Sequence, residues 1–433
     1  MNFLKMIMIF LFLFMLVSSS ISCKLSACNP TIVDTPESGK ITLLREIEII
    51  TIDTGVTYYA TFQSHNQKVV SNKYGIFMTY LCSREVSPED YNTWRLLRSI
   101  DGGKTFTKIY EGTHNTKAPV LETDSNGVIY LAHPHYVDGN VYFYRFTPEK
   151  DFKNPDITVI HRAASGKYSM FLDEKRRQIY YFSQNNIFCI ISMNGECKTK
   201  YLLTAPGSHA YIMYPQLYLD RNGDLYAAWT TQKNDEYMYW SIGFICSKDG
   251  GQSWQKPDRQ PLTVPVVTDE SGSAELVTLD DEFNVHTWLW SMLVKNGKGY
   301  FAYLAQFKPQ NRQHCVRYDL SSGKKDLDIY PEWKGETTSL ASLDGFFATC
   351  SSEPGFPIYA VSKSRNNRLS VIVSYDNGQT WKDFAKSSIN TDVLYSIGGA
   401  REVTSDGYII GIYTHQAANK SDSAVRFFKV KVR

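Results

Sequence analysis

Ser247-Lys-Asp249-Gly-Gly251-Gln-Ser253-Trp254 is one of three octapeptides of the same form in this 433-residue chain. The others are Ser99-Ile-Asp101-Gly-Gly103-Lys-Thr105-Phe106 and Ser374-Tyr-Asp376-Asn-Gly378-Gln-Thr380-Trp381. Each has the chemistry of a stapled hairpin. The Asp carboxylate accepts N–H groups within the turn, and Gly supplies a positive φ. The hydroxyls close the loop, and the aromatic residue tucks between neighbouring sheets. Asp101, Asp249 and Asp376 are therefore assigned to structure and not to catalysis.

Outward from these Asp-boxes, a polar turn followed by a short aromatic strand recurs. It begins at Asn72, Asp124, Asp173, Asp220, Asn296, Gly355 and Ser405. A repeat of ~50 residues with several short strands is the signature of a propeller blade. The expected fold is all-β: a seven-bladed β-propeller of four-stranded antiparallel blades with Asp-box turns. Six blades is the alternative if the Gly355 copy is misread. The widest interval, Tyr226 to Tyr300, predicts an insertion around residues 258–285.

Hydrophobic residues make up 43% of the chain and aromatics 14%, enough for a sizeable core, and the excess of Tyr and Phe favours strands. A net charge of +2 gives no reason to expect nucleic acid as a partner. Lys5, the apolar run Met6 to Val17 and the small residues before Cys23 read as a signal peptide over 1–22. An extension over 23–49 and a single propeller domain over 50–433 follow. The expected location is secreted or extracytoplasmic. Ser22-Cys23 also reads as a loose lipobox, which would place a lipid anchor on Cys23 at the cell surface. No later segment has the ~20 apolar residues of a transmembrane span. The eight cysteines are scattered without a Cys-x-x-Cys pair, and no disulfide pairing is assigned. No motif requires a cofactor, and a structural metal ion stays open.

The histidines supply the candidate chemistry. His65 and His114 stand just before the first strand of a blade, in Ser64-His-Asn-Gln-Lys and Thr113-His-Asn115-Thr-Lys. His135 ends the strand that returns from the Asp124–Gly127 turn, so His114 and His135 come back to one end of one hairpin. Tyr214, in Tyr211-Ile-Met-Tyr214-Pro215, stands at the corresponding point of a later blade. A tyrosine acts as acid or base only when nearby cations lower its phenol from ~10.

The Asp-boxes resemble the BNR/Asp-box repeat superfamily, which includes sialidases, over roughly residues 50–430. A sialidase would carry an Arg-Ile-Pro motif near its start; here Arg45 lacks the proline. The histidine-bearing blade openings are more similar to the branch of seven-bladed propellers that includes ulvan-type polysaccharide lyases. That resemblance implies β-elimination on a uronate-containing glycan, with His114, His135 and Tyr214 as catalytic residues. It implies His65 and Asn115 at the substrate. The family's arginine after the tyrosine-bearing strand is missing from Trp229-Thr-Thr-Gln-Lys233, where only Lys233 is near. Arg162 and Arg401, from other blades, are the substitutes considered. The expected partner is an acidic polysaccharide. A non-catalytic glycan-binding propeller is the first alternative, and a sialidase-like glycosidase the second.

Overall fold

The computed structural model describes residues 44–433 apart from 64, 83–91, 116, 208–209, 235, 270, 308–311, 329–344, 351–356, 365–366, 389–392 and 420–421. The segment 1–22 read as a signal peptide, Cys23, the Gly355 turn and the side chain of Asn115 lie outside the described residues. Seven antiparallel sheets form a seven-bladed β-propeller. Blade 1 runs Val69–Asn72, Gly75–Leu81, Asn92–Ser99 and Thr107–Asn115. Blade 2 runs Val120–Thr123, Ile129–Pro134, Val141–Phe146 and Asp156–His161. Blade 3 runs from Tyr168–Asp173 to Cys197–Leu202, and blade 4 is built on Ala210–Leu219, Leu225–Lys233 and Tyr239–Ser247. Blades 5 and 6 begin with Thr287–Lys295 and Gly345–Thr349. The first strands of successive blades pack on one another around the ring.

Closure comes from the two ends of the described chain. Glu48–Val56 is the outer strand of blade 7, antiparallel to Ser423–Lys431, with Ile50 opposite Phe427. The sheet of blade 7 also holds Leu394–Gly399 and Tyr408–His415. Arg45–Glu46 pairs in parallel with Lys382–Lys386 of blade 6. The propeller's sheets thus begin before residue 50, inside the segment expected to be an extension. Arg45 sits at this outer edge, donating to the Lys431 carbonyl at 2.8 Å. The insertion is present in blade 4. Its Val266–Val267 pairs with Thr204–Ala205, and its Glu275–Leu276 pairs with Gly243 and Phe244.

The three octapeptide turns share one hydrogen-bond pattern. Asp249 Oδ1 accepts the N–H groups of Gln252 and Ser253 at 3.0 and 2.9 Å, and Oδ2 accepts the Ser253 hydroxyl at 2.6 Å. Ser247 Oγ accepts the Gly251 N–H at 2.7 Å. Asp101 and Asp376 make the corresponding bonds. These bonds hold all three carboxyls below the usual carboxylate range. Gly251 has φ +86°, and a Cβ there would lie 2.7 Å from the Phe188 ring of blade 3. Only glycine therefore lets the turn seat Trp254 edge-on against Phe188, at 5.4 Å between centroids.

A second local staple explains the aromatic strands. The Tyr130 hydroxyl donates to Asp124 Oδ2 at 3.0 Å, and the Tyr180 hydroxyl to Asp173 Oδ2 at 2.8 Å. The hydrophobic clusters lie between neighbouring blades. One joins Phe244 of blade 4, Trp290, Tyr300 and Phe301 of blade 5 and Phe347 of blade 6. Because both faces of an inner strand are covered, Tyr239–Ser247 is buried at every position and shows no alternation.

Candidate functional site

The openings of blades 1, 3, 4 and 7 contact one another: Phe62 meets Tyr214 and Tyr395, and Lys167 meets Tyr214. His114 lies in the outer strand of blade 1, one residue from its end, with φ +62°. Its carbonyl accepts the Tyr136 N–H at 3.0 Å. His135 follows the second strand of blade 2, whose register pairs Val120 with Ala132. The two strands therefore return His135 to His114. The imidazole centroids are 4.8 Å apart and edge to face.

His135 is oriented by a carboxylate. Its Nδ1 is 3.0 Å from Asp138 Oδ1, and Asp138 Oδ2 accepts the Tyr142 hydroxyl at 2.6 Å. Partial burial pulls the Asp138 carboxyl up. The Tyr142 hydroxyl, the Asn140 N–H and the His135 charge outweigh it, and the carboxyl ends lowered to about 2. His133 is buried against Trp94, with centroids 5.3 Å apart. Burial, then the charges of His135 and His114, hold it down at about 3, so it stays neutral. Among the described residues no His, Cys, Asp or Glu group is arranged to hold a metal ion.

Tyr214 belongs to a second cluster, at the opening of blade 4. A bulge between Met213 and Gln216 interrupts the pairing of its strand, and Tyr214 takes φ +50° within it. Bulges re-aim side chains in this way. The ring stacks on Trp288 at 4.9 Å and meets Tyr239, His65 and Phe62 edge-on at 5.9, 6.0 and 6.4 Å. Lys167 Nζ stands 4.7 Å from the centre of the same ring. His65 Nε2 is buried without a hydrogen-bond partner. Burial, then Lys68 and Lys167, keep the His65 imidazole well below its ordinary value.

The candidate cations separate. Lys233 ends the second strand of blade 4, opposite Ala210, and its Nζ lies 3.3 Å from Glu236. Arg162 follows the outer strand of blade 2 and is exposed. Arg401 lies just beyond the end of the first strand of blade 7. Its Nη1 bonds Glu122 Oε1 at 2.7 Å and its Nη2 the Met170 carbonyl at 3.0 Å. Its N–H donates to Gln67, which also donates to Glu122. Arg401 thus ties blades 1, 2, 3 and 7 together through a buried ion pair. That engagement, and not a free guanidinium, is what the structure gives for it.

Sequence reasoning missed Lys117, Lys167 and Asp138. The signal was present: Lys68 and Lys167 immediately precede the first strands of blades 1 and 3, and Lys117 comes three residues before that of blade 2. Asp138 is three residues beyond His135, within reach across one turn.

No protein-family model matches the chain, and no curated protein matches it. Solved structures do. A polysaccharide lyase described as a PL25 ulvan lyase superposes with a TM-score of 0.62 at 12% identity, covering 89% of this chain and 96% of that one. The polysaccharide lyase Uly1 gives 0.58 at 8% identity, covering 90% and 100%. An α-L-arabinofuranosidase of Fusarium graminearum gives 0.51 at 11%, covering 89% and 97%. At such identities the likeness shows a shared propeller fold.

Proposed function

We propose that this protein is an exported, carbohydrate-active enzyme that cleaves uronate-containing glycans by β-elimination. The observation that supports it best is the His114–His135 pair, edge to face at 4.8 Å, with His135 held by Asp138. In β-elimination a base removes the proton at C5 of the uronate. The C4–O bond breaks as the C4–C5 double bond forms, and an acid protonates the departing oxygen. Neutralising the carboxylate makes the C5 proton acidic enough to leave. Here one imidazole bonds the carboxylate and the other moves a proton, with Asp138 stabilising the imidazolium that forms. Tyr214 is the second acid/base, in a cluster that brings a lysine to its ring. Similarity of fold to two polysaccharide lyases is consistent with this chemistry and carries no residue roles.

One observation favours a second reading, a propeller that binds glycans without cleaving them. The stretch Trp229–Lys233 has no arginine, and its only cation is engaged by Glu236. Absorbance of the unsaturated uronate product separates the two. The protein is incubated with ulvan, alginate, pectin and glycosaminoglycans. A rise that disappears in His135→Ala supports the lyase. Retention on one of these glycans with no rise on any of them supports the binding protein.

A further inference from the structure

We infer that Lys117 and Lys167, delivered by the openings of blades 2 and 3, form a two-ammonium seat for the acidic group of the glycan beside the ring of Tyr214. The inference rests on the glycan reading above and adds, beside the imidazole that bonds the carboxylate, the cations missing from Trp229–Lys233. Lys117 Nζ lies 4.9 Å from the centre of the Phe62 ring and 5.2 Å from that of Tyr59. Lys167 Nζ lies over Tyr214 and 3.2 Å from Met213 Sδ. Phe62 and Tyr214 meet edge-on, so the two ammoniums flank one aromatic pair.

Lys117 is the charged group that acts on Lys167. The groups that act on it or face its neighbours are Lys117, His65 and the Tyr214 ring, with Lys68 behind His65. Lys68 itself is engaged by the carbonyls of Gln63 and Asn66. A ring face returns ~0.5–2 kcal/mol to a cation, less than removing an ammonium from water costs. Lys167 is accordingly pulled down to about 7, by burial and then by Lys117, and Lys117 is pulled to about 8 by burial. A carboxylate entering the seat brings a negative charge beside the two ammoniums. Binding near neutral pH then takes up as much as one proton, which a guanidinium would not do because it is always charged.

The test uses methyl glucuronide, which has no glycosidic leaving group at C4, and methyl glucoside, its carboxyl-reduced counterpart. Each is titrated calorimetrically into the full protein at pH 7.5, in two buffers of different ionisation enthalpy. The wild-type protein prefers the glucuronide by about tenfold and takes up protons with it alone. Lys167→Met and Lys117→Met each bring that preference below about threefold, with a thermal melt recording that they fold. Equal or undetectable binding of the two sugars by the wild type overturns the seat without recourse to any variant. So does an unchanged preference in a folded Lys167→Met. Preference without unsaturated product from any polymer removes the lyase reading and leaves the seat; product without preference does the reverse.

Discussion

Lys167 Nζ stands 4.7 Å above the centre of the Tyr214 ring, and the two residues come from different blades. The contact places a half-buried cation against a tyrosine whose backbone is turned out of its strand by a bulge. It also makes the proposed site a point of instability, because the ammonium has given up water for a thioether and a ring.

That instability is measurable. The Lys167 value in the folded protein, about 7, lies below its ordinary 10.5. Between those two values the unfolded chain binds more protons, so this residue makes stability rise with pH. Lys167→Met is therefore more stable than the wild type at pH 7, by about 2 kcal/mol for a half-buried ammonium. The difference shrinks as pH approaches 10.5. Denaturant melts at pH 7 and pH 10 check both the sign and the trend.

Asp138→Asn keeps the hydrogen-bond geometry around His135 while removing the charge that balances an imidazolium. If His135 moves a proton, the variant loses much of the ~10²–10⁴-fold that acid–base catalysis contributes. The loss falls on kcat more than on KM. Initial rates of unsaturated uronate formation measure it, and an unaltered kcat would remove Asp138 from the proton pathway.

Arg401 and Glu122 are expected to behave as one structural unit. Arg401→Met leaves a buried carboxylate without its partner and costs about 3–5 kcal/mol. Adding Glu122→Leu recovers most of that loss. Chemical denaturation of the single and double variants tests the coupling. A single variant of normal stability that no longer binds glycan would instead make Arg401 a substrate-binding arm.

The three octapeptide turns should respond to mutation and acid without touching the site. Asp249→Ala removes several charge-assisted bonds in one turn and costs about 1–3 kcal/mol, with glycan binding unchanged at temperatures where the variant is folded. Because the three carboxyls are held below their ordinary value, their contribution is complete above about pH 4. It is lost as the pH falls through their lowered folded values. A pH series of melts should show the Asp249→Ala penalty fading in acid.

The sequence by itself determined what is local. Each octapeptide turn closes within eight residues, and Asp124 meets Tyr130 across a single turn, so the blades could be read from residue type and spacing. The meeting of His114 with His135 was equally legible, because the antiparallel return of the hairpin that opens blade 2 brings His135 back towards the residues before Val120. Asp138 could have been found by the same reasoning. Other relationships were decided only by the tertiary structure. Glu48–Val56 closes blade 7 against a strand from the far end of the chain, and Arg401 reaches Glu122 across 279 residues. The Tyr214 bulge and the placement of Lys117 and Lys167 beside one aromatic pair also belong here. The physical reason is common to all of them. Within a blade, backbone hydrogen bonding fixes which residues oppose each other. Between blades no hydrogen-bond register links side chain to side chain, and the stacking of twisted, apolar sheets around the ring determines which opening loops face each other.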